Sequence, residues 1–168
     1  MTISQSADHR LFVDAPLAPG AAVPLGQDQS HYLRNVLRLG IGDRIRLFNG
    51  RDGEWSARIA VADRRGTTLS ASEQLRSQTP PGAVDYAFAP LKSARLDYLA
   101  QKAVEMGAGS LAPVRTRRTQ VTRVNLERIR ANVIEAAEQC GVLSVPVVGP
   151  EQSFDAWLAG LPRDQVLV

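Results

Sequence analysis

Cysteine, histidine and lysine are all scarce in this 168-residue sequence. Cys140 is the only cysteine, which excludes an internal disulfide and any metal site built from several cysteines. The two histidines, His9 and His31, are too few and too far apart to indicate a metal site. Because no histidine shares its half of the chain, Cys140 is predicted to be a packed thiol and not a nucleophile.

Long apolar runs are also missing. No stretch approaches the 18 consecutive apolar residues of a membrane helix, and the N-terminal "MTISQSADHR" lacks the apolar segment of a signal peptide. These features predict a soluble, cytoplasmic protein with no membrane partner. Phosphate-binding G-x-x-x-x-G-K motifs are absent, and "GAG" at 107–109 follows a predicted helix and lacks a third glycine. That segment is therefore interpreted as a helix end.

Arginine accounts for nearly all of the positive charge. Eighteen of the 20 basic residues are arginine, and lysine occurs only at Lys92 and Lys102. The planar guanidinium suits phosphate binding and stacking on bases, so this bias is typical of nucleic-acid binding. Codon bias in a GC-rich genome is the alternative explanation.

The N-terminal half is organised as short strands separated by turns rich in Asn, Asp and Gly. The predicted strands are "RLFV", "RIRLFN", "WSARIAVA" and "TTLSASE". One helix is predicted among them, from Gln29 to Leu39, and its inward stripe consists of Leu33, Val36 and Leu37. Several short strands and one helix predict a small β-barrel over residues 1–76.

A Pro- and Gly-containing linker at 77–82 precedes a second predicted domain at 83–168. Strands alternate with helices in this domain, which is the pattern of a parallel α/β sheet. The predicted strands are "VDYAFAP", which is expected to be buried, "SLAPV", "VPVV" and "QVLV". Ser93, Asn125 and Ser153 are predicted to cap the helices.

Two arginine clusters stand out. On the first helix, His31, Arg34 and Arg38 fall at i, i+3 and i+7 and are predicted to share one face, for which an ordinary solvated surface is the alternative. From 115 to 130, six arginines accompany one acid, Glu127, whereas solvated helix surfaces usually alternate in sign. Together the clusters favour RNA or DNA as the partner.

Three segments carry a resemblance to a known family. They are "HYLRNVLRLGIGDRIRLFNGRDGEW", "LDYLAQKAVEMGAGSLAPVRTRRTQV" and "IEAAEQCG" followed by "VP". In order and spacing they resemble the ribosomal RNA small subunit methyltransferase E family, over nearly all 168 residues. That family belongs to the SPOUT methyltransferases, which bind S-adenosylmethionine in a C-terminal trefoil knot and act as dimers. It methylates N3 of one uridine in small-subunit ribosomal RNA.

The resemblance implies an α/β fold with an N-terminal PUA-like β-barrel, followed by the first part of a SPOUT domain. The family's arginine after "E-Q-C-G" is Val142 here, its loop glutamate is Arg117 and its loop serine is Thr119. Its "G-P-E-G-G" knot loop is absent, and "GPE" at 149–151 is interpreted as a turn. We therefore expect a C-terminally truncated, inactive chain whose cofactor site would follow Val168.

The resemblance also implies roles for individual residues. Arg117 and Arg118 are expected to stabilise negative charge on the uracil. Thr116 and Glu105 are further catalytic candidates, with loop structure and pairing to Lys102 as their alternative roles. The residues expected to contact RNA are His31, Arg34, Arg38, Lys92, Arg95, Arg115, Arg117, Arg118 and Arg123.

The partners implied are small-subunit ribosomal RNA, or the assembled small subunit, and a second copy of the chain in a homodimer. S-adenosylmethionine is the implied cofactor, and no metal is expected. Two other functions remain open on sequence grounds, a non-catalytic RNA-binding module and an α/β enzyme with a small-molecule substrate.

Overall fold

The computed structural model describes residues 9–121, 123–162 and 166. The chain divides into two compact units, Met1–Pro80 and Pro81–Val168. The first unit contains β1 (Arg10–Phe12), β2 (Ala22–Pro24), α1 (Gln27–His31) continued by a π-helical turn (Tyr32–Val36), β3 (Arg44–Phe48), β4 (Glu54–Asp63) and β5 (Gly66–Arg76).

The strands of the first unit form one five-stranded sheet in the order β1-β3-β4-β5-β2. Neighbours are antiparallel except β1 and β3, and register shifts in β4 mark bulges that bend the sheet. Alternate residues of each strand point into a core that includes Leu47, Ile59 and Leu69, on which Leu33 of the π-helical turn packs. The predicted barrel is thus observed as a sheet whose edge strands, β1 and β2, are not paired with each other within the described residues.

The first helix differs from the prediction. It begins at Gln27 and ends at Val36, and its second half is π-helical, as the hydrogen bond from Leu37 N to Tyr32 O shows. The wider π turn rotates the residues that follow, so Val36 is 60% exposed where an inward position was predicted. Arg38 lies beyond the helix with φ of 57°.

The turn between β3 and β4 is fixed by one carboxylate. Asp52 Oδ2 accepts hydrogen bonds from Leu17 N at 2.9 Å and from Asn49 Nδ2 at 2.6 Å. These bonds favour the charged form and lower the pKa of Asp52 below its usual value. The Asp52 carbonyl also accepts from Trp55 Nε1 at 2.8 Å, which ties the turn to the core.

The second unit is a parallel sheet with helices, as the alternating pattern predicted. Its elements are β6 (Val84–Phe88), α2 (Ser93–Glu105), β7 (Ala108–Arg115), α3 (Leu126–Cys140), β8 (Val147–Val148), β9 (Gln152–Ser153) and α4 (Phe154–Ala159). The strand order is β6-β7-β8, and β9 also pairs with β7, all in parallel. The predicted strand "QVLV" lies outside the described residues except for Val166, which is exposed.

Local signals explain two of the three helix starts. Asn125 Oδ1 accepts from Arg128 N at 3.0 Å, and Ser153 Oγ accepts from Ala156 N at 3.2 Å, so both predicted caps are confirmed. The prediction for Ser93 is wrong, because it is the first helical residue and the preceding cap residue makes no side-chain cap bond. Gly141 ends α3 with φ of 75°, in the left-handed region that glycine adopts readily.

Two burial predictions in this unit are also wrong. β6 is the edge strand of the described sheet, so Val84, Asp85 and Tyr86 are exposed and only Phe88 of its large side chains is buried. Cys140, predicted to be packed, is exposed at the end of α3.

The segment "GAG" ends α2 and packs the start of β7 against the chain before β6. Gly107 has φ of 81°, and its N–H donates to Val104 O, which confirms the helix-end interpretation. A Cβ on Gly109 would lie 2.0 Å from the carbonyl oxygen of Gly82. Gly82, which was predicted to belong to a linker, is therefore in close backbone contact within the second unit.

Candidate functional site

The candidate site lies at the carboxyl end of β7. Parallel strands bring their carboxyl ends to one sheet edge, which is where open α/β sheets bind ligands. Here Arg115, the last residue of β7, is in register with Ser153, the last residue of β9. The loop after β7 and the first residues of α4 are consequently neighbours.

These two segments enclose a cavity of about 660 Å³. Three arginines and a threonine come from the β7 side, and a serine, an aromatic ring and an acid come from the α4 side. The lining residues are Arg115, Thr116, Arg117, Arg118, Ser153, Phe154 and Asp155. The arrangement combines guanidinium groups, which suit phosphate, with an aromatic face, which suits a base.

Two threonines shape the loop. The N–H of Thr116 donates to Thr119 Oγ1 at 2.9 Å, and their hydroxyl oxygens are 3.1 Å apart. The N–H of Thr119 donates back to Thr116 O at 3.2 Å. This tight turn displays Arg117 and Arg118 at its tip, both exposed. Thr116 thus has the loop-forming role that was its alternative, and Thr119 shares it.

The arginines between 115 and 130 divide into those that form an ion pair and those for which the described residues provide none. Arg115 donates from Nε and Nη2 to Glu151 Oε1 at 3.1 and 2.8 Å. Its counter-charge therefore comes from Glu151 in the "GPE" segment between β8 and β9, 36 residues away, and not from its own segment. Two further arginines pair as Arg128 with Asp97 and Arg130 with Glu127.

Three arginines of this segment remain. Within the described residues, the structure records no ion pair for Arg117, Arg118 or Arg123, and all three are exposed. Their charges are available to a ligand, whereas that of Arg115 is already compensated.

The pair of Arg128 and Asp97 belongs to the scaffold. It links α3 to α2, and Asn132 Nδ2 donates to the same carboxylate at 2.6 Å. The hydrogen bond from Arg128 lowers the pKa of Asp97 and raises that of Arg128, so both stay charged near neutral pH. This pair holds the two helices that flank β7 and does not line the cavity.

Phe154 is the functional candidate that sequence reasoning missed. It is the first residue of α4, it is 45% exposed, and its ring centroid lies 6.0 Å from that of Trp157. The sequence placed it only in a short helix after the Ser153 cap, because β9, the strand that ends directly before it, was not among the predicted strands.

The structure does not bring every predicted residue to this site. Glu105 ends α2 beside the amino end of β7 and pairs with Lys102 at 2.5 Å. Because β7 has eight residues, its two ends are about 23 Å apart, which separates Glu105 from the loop. Lys92 precedes α2, and Arg95 lines an apolar groove between α2 and β6. Neither residue lines the cavity formed by residues 115–118 and 153–155, which we call the arginine cavity.

In the first unit, His31 and Arg34 line a depression of about 290 Å³. Arg34 Nη1 donates to Asp63 O at 2.6 Å, which holds it against the β4–β5 hairpin. The hairpin adds Arg64 and Arg65 to the same depression. Arg38 does not line it, so the predicted three-residue helical face is wrong, because the π turn ends the helix before residue 38.

Within the described residues, no cluster of three or more His, Cys, Asp or Glu side chains is arranged to hold a metal ion. The helices in the same part of the chain are all too short or too polar to cross a membrane.

Comparison with known proteins gives consistent matches. The family described as RNA methyltransferase domain matches residues 78–168, and the family described as RNA methyltransferase PUA domain matches residues 25–70. Ribosomal RNA small subunit methyltransferase E of Rickettsia conorii is 33% identical over 141 residues, covering 83% of this chain and 58% of the relative. The Synechocystis protein of the same name is 32% identical over 162 residues, covering 95% of this chain and 53% of the relative.

The chain thus spans about half the length of the curated relatives it matches. A solved structure agrees in fold, that of ribosomal RNA small subunit methyltransferase E from Neisseria gonorrhoeae bound to S-adenosyl methionine. Its TM-score is 0.78 at 27% identity, covering 92% of this chain and 66% of that chain. With the PUA match, the parallel α/β unit and these relatives, the chain belongs to the ribosomal RNA small subunit methyltransferase E family.

Proposed function

We propose that the protein transfers a methyl group from S-adenosylmethionine to N3 of a uridine in small-subunit ribosomal RNA. The observation that carries the proposal is the cavity at the carboxyl end of β7, where Arg117 and Arg118 face Phe154. Family membership and the S-adenosyl methionine bound to the gonococcal relative support the reaction type.

The charge of the cavity favours RNA over the cofactor as its occupant. S-adenosylmethionine carries a positively charged sulfonium, which the guanidinium groups of Arg117 and Arg118 would repel. RNA carries phosphate and exposes bases, which suit those groups and the ring of Phe154. The described lining therefore fits the RNA and does not fit the cofactor.

The chemistry required of these residues concerns the base. Bound S-adenosylmethionine would supply an electrophilic methyl carbon, whose bond to the sulfonium sulfur breaks as its bond to N3 forms, leaving S-adenosylhomocysteine. N3 of uracil must first lose its proton, to water, so that its electron pair can form the new bond. Negative charge then spreads over N3 and the neighbouring carbonyl oxygens. A guanidinium placed beside the ring stabilises that charge and favours the deprotonated form. Arg117 and Arg118, without recorded ion pairs, take this role.

The remaining contacts position the RNA. Arg123 extends the positive loop, and Phe154 offers a stacking surface for the target base or its neighbour. On the first unit, His31 and Arg34 form a second contact region for the RNA together with the hairpin arginines. We further propose that the protein acts as a homodimer in the cytoplasm on the RNA or the assembled subunit.

RNA binding without catalysis is the second candidate function for these 168 residues alone. Ligand sites commonly bury 70–90% of a small molecule, at about 300–1,000 Å³. The arginine cavity is of that size, but only two short segments, 115–118 and 153–155, line it. We therefore propose that this chain binds RNA by itself and does not hold the cofactor tightly. Calorimetry that gave micromolar binding of S-adenosylmethionine to the 168-residue chain would contradict this.

Nucleoside analysis tests the reaction itself. The native protein is incubated with unmodified small-subunit RNA, or with subunits lacking the modification, and methyl-labelled S-adenosylmethionine. We expect the label in N3-methyluridine after digestion, and its loss in the Arg117→Ala/Arg118→Ala variant. Label in another nucleoside would overturn the assigned substrate atom, and no label in any RNA would favour the binding module.

A further inference from the structure

The outward face of the first unit's sheet is rich in arginine. Residues alternate between the core and this face along β3, so that Ile45 is buried while Arg44 and Arg46 on either side of it point outward. The positions on this face of four adjacent strands carry Arg10, Arg44, Arg46, Arg58 and Arg76; the Arg10 side chain is only 8% exposed, and the other four are accessible.

Strand register places like charges directly opposite each other on this face. Arg10 of β1 is in register with Arg46 of β3, and Arg44 of β3 is in register with Arg58 of β4. Like charges in such positions destabilise a sheet, whereas opposite charges stabilise it. The pair of Arg44 and Arg58 therefore opposes the stability of the fold that carries it, whereas Arg10 and Arg46 share the carboxylate of Glu54.

One end of the face is partly compensated. Glu54 is 1% exposed, and its Oε1 accepts from Arg10 Nε at 2.6 Å. Its Oε2 lies 3.9 Å from Arg46 Nη1 and 3.8 Å from Arg76 Nη1. The Arg10 guanidinium is also 4.3 Å from the ring centroid of Phe48. Glu54 thus anchors this end of the face through contacts with three arginines.

The other end has no such compensation. Arg44 and Arg58 are exposed, and the structure records no ion pair for either within its described residues. Arg58 Nη1 donates to Gly42 O at 3.3 Å, a contact that leaves its charge unneutralised. Departures from local stability rules are expected at functional sites, where the cost is offset by binding.

We infer that this face binds the phosphate backbone of RNA, as a contact surface additional to the loop after β7. The inference rests on the proposed RNA substrate. Ser56 lies opposite Arg46 and Ser70 lies opposite Arg58, and the exposed acid Glu73 is in register with Ser56 on its other side. Protein interfaces are typically built around aromatic and apolar centres, whereas serines and forked guanidinium groups suit phosphate oxygens.

The test combines binding with stability. A labelled single-stranded oligouridylate is titrated into the protein across a salt series, with the Arg44→Gln/Arg58→Gln variant beside the wild type. Each lost phosphate contact reduces the slope of log affinity against log salt by about 0.7 for single strands, so we expect a reduction of about 1.4. The control is Arg51→Gln/Arg130→Gln, which removes the same two charges from exposed positions off this face and should keep the slope.

Stability provides the second readout. Because Arg44 and Arg58 repel each other, Arg44→Gln alone should raise the melting temperature while it lowers RNA affinity. A mutation that merely damaged the sheet would lower both. If Arg44→Gln weakens binding and also destabilises the protein, the inference is overturned.

The outcomes distinguish a failure of this inference from a failure of the proposed function. If the wild type binds RNA with a slope that depends on Arg117 and Arg118, and the face variant matches its control, only the present inference fails. If the wild type does not bind RNA, both fail. A reduced slope with a raised melting temperature supports the surface.

Discussion

The clearest prediction concerns the two loop arginines without recorded ion pairs. Replacing Arg117 and Arg118 with alanine removes two exposed guanidinium groups from the tip of the Thr116–Thr119 turn. The turn itself is held by threonine hydroxyls and backbone groups, so the fold should tolerate the change. Exposed substitutions usually alter the free energy of unfolding by less than about 0.5 kcal/mol.

The expected size of the effect follows from counterion release. Each phosphate contact contributes about 0.7 to 0.9 to the slope of log affinity against log salt, so two contacts contribute about 1.4 to 1.8. Between 50 and 200 mM salt, roughly a fourfold change, the wild type should lose about 7 to 12 times more affinity than the variant. The variant should also bind more weakly at low salt.

Fluorescence anisotropy with a labelled small-subunit RNA fragment, repeated over a salt series, measures the affinity and its dependence on salt. The double variant Arg51→Ala/Arg130→Ala is the matched control, since it removes the same charge from exposed positions outside the cavity. Thermal unfolding of each protein confirms that it is folded. If the loop variant keeps the affinity and slope of the wild type, the loop is a solvated surface and the assigned RNA contact is refuted.

Three further predictions concern packing, pH and base recognition. Gly109→Ala would place a methyl group 2.0 Å from the carbonyl oxygen of Gly82, and such overpacking should cost about 1–3 kcal/mol in urea unfolding of the second unit; an unchanged midpoint would contradict the close approach. Asp52→Ala leaves the buried N–H of Leu17 without its acceptor and should cost about 1–3 kcal/mol near neutral pH. Because the pKa of Asp52 is lowered in the folded state, the stabilisation that its charged carboxylate provides is present above the usual value of 3.8 and is lost as the pH falls through the folded pKa. The difference in stability between the wild type and Asp52→Ala should therefore shrink in acid. A difference that stayed constant with pH would exclude the charged carboxylate as its source. Phe154→Leu should weaken single-stranded RNA binding by about 1–3 kcal/mol with an unchanged salt slope, whereas Phe154→Trp should retain affinity; equal binding by both variants would exclude stacking.

Features that depend on neighbours in sequence were predictable. Asn125 and Gly141 mark the ends of α3 because a side-chain cap and a left-handed glycine act within one helical turn. The alternation of strands and helices likewise predicted the parallel sheet, and with it the sheet edge at which Arg115 ends β7.

Features that depend on distant contacts were not predictable. The counter-charge of Arg115 is Glu151, and only the pairing of β7 with β9 brings them together. The exposure of Tyr86 follows from the place of β6 at the edge of the described sheet, which its apolar sequence does not reveal. The π-helical turn before Arg38 has hydrogen bonds to residue i−5, and the apolar spacing of the sequence does not distinguish these from the i−4 bonds of an α-helix.

Cross-linking tests the central claim most directly, because it locates the RNA on the protein without altering any residue. Small-subunit RNA carrying a photoreactive uridine is irradiated with the native protein, and the attached peptides are identified by mass spectrometry. We expect cross-links in residues 115–118 and at Phe154, which line the arginine cavity. Cross-links confined to the apolar groove between α2 and β6, with none in residues 115–118 or at Phe154, would contradict the assignment of the arginine cavity as the RNA site.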